Sequence, residues 1–215
     1  MSPSEKSPAV VKALDDILAG RRPEVSSFDE ELAAALERIA DKLEYLSREI
    51  ADLSPSDEVT SLVKEEVFNN VLWREFNRAL RYGKPMSMAL VEIDGFDELR
   101  AEQGTAAAMD LLQHIASIVL QMIRETDLAA RYGDDRLAVI MPETAKQGAL
   151  DLGHRLRKSV EEGVGGTQGD SGEVTVSVGI SSVPSDRVKT APDLVEQASA
   201  ALDRAKQRGR SQVSD

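Results

Sequence analysis

The sequence predicts an α+β fold of the ferredoxin-like class: one mostly antiparallel sheet covered by helices, preceded by a helical coiled coil. Three observations lead there. From residue 57 onward, apolar runs and helical periodicities follow the order α-β-α-β-β-α-β-α. Two of those strands, Leu128 to Tyr132 and Arg136 to Met141, flank the turn Gly133-Asp134-Asp135 and so form a hairpin. Upstream, Leu32, Leu36, Ile39, Leu43, Leu46, Ile50 and Leu53 alternate spacings of four and three, which is a heptad seam.

Residues 1–24 form a polar tail with a short helix. The first eight residues are too polar to pack. Val10, Val11, Leu14, Ile17 and Leu18 then follow helical spacing, and Gly20 closes the helix. Arg21-Arg22-Pro23 is a solvated linker. Residues 25–54 form the coiled-coil helix, started by the capping-box pair Ser27 and Glu30. Its apolar seam is narrower than the stripe of a globular helix. It predicts a homodimer through residues 28–53, parallel or antiparallel; the competing reading is a helix folded back on its own chain. Ser54-Pro55-Ser56 breaks the helix and opens the main domain, 55–215.

In that domain a long helix runs to about Tyr82, with Val67, Val71, Leu72, Phe76 and Leu80 inward, and ends at Gly83 and Pro85. Met86 to Ile93 is a buried strand. A short helical segment reaches Gly104, and Thr105 caps the next helix, whose Leu111, Leu112, Ile115, Ile118, Val119 and Met122 face the core. His114 is a surface residue. After the hairpin, Thr144 and Gln147 make a second capping-box pattern, for a helix to about Glu162. Residues 163–172 are a Gly-rich connector. In the strand Glu173 to Ser182, Val174, Val176, Val178 and Ile180 point inward; Thr190 and Pro192 open the last helix and Gly209 closes it.

Composition excludes several functions. The 215 residues carry a net charge of −12, which argues against nucleic-acid binding and against anionic membrane surfaces. Cysteine is absent, so thiolate chemistry and zinc–thiolate sites are excluded, and two histidines are too few for a histidine-rich metal site. The polar start carries no signal-peptide pattern, and no apolar run is long enough to span a bilayer. The expectation is a cytoplasmic protein.

The hairpin tip is, by its local residues, an ordinary solvated turn. Its surroundings carry more. The stretch Arg131-Tyr132-Gly133-Asp134-Asp135-Arg136-Leu137, followed by an apolar strand and Pro142-Glu143-Thr144, resembles the signature of GGDEF domains, the diguanylate cyclase family. The five signature letters here read GDDRL. Upstream, Asp57, Thr60, Leu62 and Phe68 match the family's opening motif, with Ser61 in place of Gly and Lys64-Glu65 in place of Asn-Arg. The resemblance covers roughly residues 57–211.

The resemblance implies the family's reaction, in which two GTP molecules on two domains are joined into cyclic di-GMP with the help of bound metal. It places metal ligands at Glu92, where the family has Asp, and at Asp135. Lys206 and Arg210 keep its C-terminal phosphate contacts. Its phosphate-facing Lys is Asp97 here, its guanine-reading Asn is Arg100 and its guanine-reading Asp is Met109. Arg carries only donors and Met a weak thioether, so neither answers guanine's N1 and N2 donors. Asp134 and Arg136 replace Gly and a carboxylate. The expectation is a catalytically silent domain that needs no cofactor; magnesium enters only if the GTP site works.

A second, inhibitory site for cyclic di-GMP is also implied. Arg124 and Asp127 hold its Arg-x-x-Asp pattern five residues before the signature, and Arg155 is the further arginine. Guanidinium groups bind guanine O6 and N7 or phosphate, and a carboxylate accepts N1 and N2. A local ion pair between Arg124 and Asp127 is the structural alternative. Three functions compete: a silent cyclic di-GMP receptor that signals to a protein target not named by the sequence, a nucleotide-independent scaffold, and a working cyclase with an unusual signature.

Overall fold

The computed structural model describes residues 8–18, 21–24, 28, 30–164 and 174–215, with the backbone alone at 8, 9, 18, 31, 44–53 and 164. The tail at 1–7, Gly20, the cap residue Ser27 and residues 165–172 of the expected connector 163–172 lie outside the described residues, as do the side chains of Leu18, Leu46, Ile50 and Leu53; residues 163 and 164 belong to the helix before the connector. The chain divides into two compact units, Met1–Ser54 and Pro55–Asp215.

The first unit pairs α1 (Pro8–Leu18) with α2 (Glu30–Leu53). Ala13 and Ile17 of α1 bury against Leu36 and Ala40 of α2, with Phe28, Leu32 and Leu43 at the margin. The near half of the heptad seam is thus partly covered within the chain, while Ile39 stays 45% exposed. Arg21 and Arg22 are exposed and ion-paired, to Asp16 and Asp41.

The second unit runs α3 (Glu65–Tyr82), β1 (Met86–Ile93), α4 (Phe96–Met122), β2 (Leu128–Arg131), β3 (Arg136–Pro142), α5 (Lys146–Val164), β4 (Val176–Val183), α6 (Ala191–Gln207) and β5 (Val213–Ser214). The sheet order is β2-β3-β1-β4-β5, antiparallel except for the β4–β5 pair. This is the α+β architecture expected, with β5 added where the Gln212 carbonyl accepts the Val178 amide at 2.8 Å.

Every residue of β1 is buried. Met86, Met88 and Leu90 pack with α3 and α6, while Ala89, Val91 and Ile93 pack with α4 and α5. A central strand covered on both faces must be apolar on both. β4 solves the same problem differently. Val176, Val178 and Ile180 face the α4–α5 layer, and Ser177, Gly179 and Ser181 are buried on the other side.

Three local readings change. Leu80 is 52% exposed, because the buried stripe of α3 is Phe68, Leu72, Phe76 and Ala79, and Leu80 falls beside it. Thr144 does not cap α5; its hydroxyl donates to the Pro142 carbonyl at 3.1 Å, tying down the turn instead. The break expected before Thr105 is a kink within α4 at Gly104, whose φ is 86°. Thr190 does cap α6, with Asp193 completing a capping box.

Candidate functional site

The end of β1, the start of α4 and the hairpin tip meet at one end of the central strands. Register sets Glu92 of β1 opposite Arg136 of β3. Arg136 Nε donates to Glu92 Oε2 at 2.6 Å, and Lys206 Nζ from α6 donates to Oε1 at 2.5 Å. Glu92 is 5% exposed, so both oxygens of a buried carboxylate are taken by cations. Asp135 is half-buried beside it; burial, and then the negative charge of Glu92, push its carboxyl above the usual range.

Further out, Arg100 Nη2 donates to Asp97 at 2.7 Å, and its other terminal nitrogen lies 3.6 Å from Asp134 at the hairpin tip. The guanidinium also lies over the Phe96 ring, at 5.9 Å. These partners are well exposed, so the pairs contribute about 0–1 kcal/mol each. The Glu92 cluster is the buried part of the cleft and the Arg100 pairs are its exposed rim. Asp94, next to Glu92, is structural: it accepts from Thr175 at 2.7 Å, Ser177 at 2.8 Å and the Ser211 amide at 3.1 Å. That fixes the turn after α6 carrying Arg210, which is exposed and, among the described residues, without an ion pair.

The opening loop is stitched to the edge strand β2. Val63 bridges to β2, and Ser61 adopts φ 59°, the left-handed conformation that Gly takes more readily. Asp57 accepts from the Thr60 amide and hydroxyl, and from Arg131 Nη1 at 3.2 Å. Arg131 also reaches the Met109 sulfur at 3.8 Å.

At the other end of β2, residues 124–127 form a closed turn. The Arg124 amide donates to Asp127 Oδ2 at 3.0 Å, and the Asp127 amide to the Arg124 carbonyl at 3.0 Å. The local ion pair does not form: Asp127 takes the backbone of Arg124 and leaves its guanidinium without a partner among the described residues. Asp127 Oδ1 is buried and, among the described residues, has no hydrogen-bond partner. The turn lines an open groove of about 680 Å³ together with Val71, Glu75 and Arg78 of α3. Arg155 is exposed on α5, makes no hydrogen bond or ion pair among the described residues, and is not part of the groove wall.

The family profile described as "Diguanylate cyclase, GGDEF domain" matches residues 54–212. The chain belongs to the GGDEF family. It is 31% identical to diguanylate cyclase A of Treponema denticola over 77% of this chain and 45% of that one. It is 30% identical to the response regulator PleD of Caulobacter vibrioides over 75% of this chain and 36% of that one. The chain therefore spans less than half the length of either relative. Among solved structures it is similar to the coiled coil and GGDEF domain of DgcB from Caulobacter crescentus in complex with c-di-GMP, with a TM-score of 0.69 at 24% identity, covering 94% of this chain and 98% of that one. It is similar also to the FimX GGDEF domain from Pseudomonas aeruginosa, with a TM-score of 0.67 at 25% identity over 75% and 99% of the two chains.

Against the GGDEF pattern, the residues at the cleft do not fit magnesium. That ion needs oxygen donors in near-octahedral array, with carboxylates free to face it. Here Glu92 is engaged by two cations and Arg136 stands where the pattern supplies a carboxylate. Among the described residues no cluster of acidic and histidine side chains forms a metal cage. Lys206, expected at a phosphate, is turned to Glu92. Sequence reasoning missed Arg78 and Arg131. Arg78 gave only an i,i+3 pattern with Glu75, and nothing local ties it to residue 124. Arg131 fits the Arg-x-x-Asp pattern as well as Arg124 does, and only its contacts tell them apart.

No helix among the described residues is long and apolar enough to cross a membrane.

Proposed function

We propose that this GGDEF domain does not synthesise cyclic di-GMP but binds it, acting as a receptor or signalling module through Arg124 and Asp127. One contrast supports this reading. At the nucleotide cleft the substituted charges Asp97, Arg100, Asp134 and Arg136 are already ion-paired within the chain, the first three at its exposed rim. At the 124–127 turn, among the described residues, a guanidinium is left without a partner and a carboxylate oxygen is buried unsatisfied. An unsatisfied buried acceptor costs about 1–3 kcal/mol, which guanine's N1 and N2 donors would relieve. Arg124 supplies the bidentate partner for O6 and N7 or for phosphate. Arg78 in the groove wall and Arg155 on α5 compete to be the second guanidinium.

Calorimetry with cyclic di-GMP tests this directly. Wild type binds, and Arg124→Ala binds about 10–100-fold more weakly, as expected for losing a hydrogen bond to a charged group. Absence of heat with wild type, or equal binding by the variant, ends the reading. Arg78→Ala and Arg155→Ala then show which arginine completes the site. Incubation with GTP and magnesium or manganese, followed by chromatography, yields no cyclic dinucleotide; product formation would make this a working cyclase.

A second reading, a scaffold that contacts a protein target through residues 28–53, is favoured by the exposure of Ile39 in the seam. A pull-down that requires those residues and ignores cyclic di-GMP supports it.

A further inference from the structure

We infer that this chain has exchanged the family's divalent cation for two resident side-chain cations, Arg136 and Lys206, so that the cleft is charge-balanced without metal. The inference deepens the silent-synthesis half of the proposed function and is independent of the Arg124 groove.

Glu92 sits at the position where the family resemblance places a metal ligand, and it is almost wholly buried. A buried carboxylate needs a counter-charge and hydrogen bonds to both oxygens. Here one oxygen has a guanidinium nitrogen at 2.6 Å and the other an ammonium at 2.5 Å. Neither contact is an accident of a mobile surface. Arg136 is fixed opposite Glu92 by the β1–β3 register, and Lys206 lies in the last turn of α6, a helix whose buried face packs in the core shared with β1. A divalent ion arriving at Glu92 would have to displace both cations and then share the pocket with them.

The fourth signature position makes the exchange one-directional. A carboxylate there would add an acidic donor beside Glu92 and Asp135; Arg136 removes that donor and brings a positive charge into the same space. One substitution therefore changes the local charge by two, against a dication.

Manganese binding to the full chain, read by electron paramagnetic resonance, tests this without any turnover. Wild type shows no saturable manganese site up to about millimolar concentration, far above what an unobstructed carboxylate cluster requires. Arg136→Glu and Lys206→Gln each bind manganese at least about tenfold more tightly than wild type. Adding Glu92→Gln to either removes the gain. Circular dichroism confirms that each variant is folded, and Lys206→Gln, a partly exposed neutralisation, serves if Arg136→Glu does not fold. A wild-type manganese site that Glu92→Gln abolishes overturns the inference. So do folded variants that bind no better than wild type. Calorimetry with cyclic di-GMP on the same proteins is unchanged throughout, which separates this failure from a failure of the receptor reading.

Discussion

Asp57 gathers a tight turn and a distant strand at one carboxylate. Oδ1 accepts the Thr60 amide and hydroxyl at 2.8 and 2.7 Å, and Oδ2 accepts Arg131 from across the domain. Burial pushes its carboxyl up, but the Thr60 bonds and the Arg131 charge outweigh that and hold it below the ordinary 3.8. A folded value below the unfolded one means stability that is full above about pH 3.8 and lost as pH falls through the depressed value. We expect Asp57→Asn to lose about 1–3 kcal/mol at neutral pH in urea titrations. Near pH 3 the gap between wild type and variant narrows; an unchanged gap would mean that the charge of Asp57 is irrelevant. The same residue explains why two identical patterns differ. Arg131 is engaged by Asp57, Gly133 and Met109, whereas among the described residues Arg124 has only its backbone tied down.

Among the elements, β4 and α6 approach each other closely at Gly179. A Cβ at Gly179 would stand 2.2 Å from the Ala198 carbonyl oxygen and 2.4 Å from the Leu202 nitrogen. Both are backbone atoms, so no rotamer change relieves the clash. Gly179→Ala should cost about 3 kcal/mol or more in urea unfolding, the upper end for overpacking. Gly148→Ala is the control. Its Cβ meets only the Thr144 methyl at 3.1 Å, and the gain in helix propensity of up to about 1 kcal/mol offsets the squeeze. A mild effect at Gly179 would show that α6 can lift from the sheet, and with it Lys206 from Glu92.

For the whole molecule, the question is what the first unit does. The second unit has its own two-faced core, and the division falls at Ser54 and Pro55. Residues 55–215 alone should unfold with the urea midpoint of the same unit in the full chain. Light scattering should find the full chain dimeric and 55–215 monomeric, as expected if the seam of α2 joins two copies. A monomeric full chain would mean that α1 already satisfies α2, as Ala13 and Ile17 do for Leu36 and Ala40.

The order of elements from α3 to α6 and the family were legible in the chain's letters, because apolar alternation, helical periodicity, turn residues and the hairpin motif are all local. The sequence also marked Glu92, Asp135, Arg124 and Asp127 as charged groups at special positions. It did not contain β5, the small-residue face of β4 or the groove wall at Arg78, since each depends on a partner distant in sequence. Above all, which charges are already paired follows from the folded arrangement. Lys206 reaches Glu92 across 114 positions and Arg136 across 44. Electrostatic pairing depends on distance in space, and strand register and helix packing, not sequence spacing, set that distance.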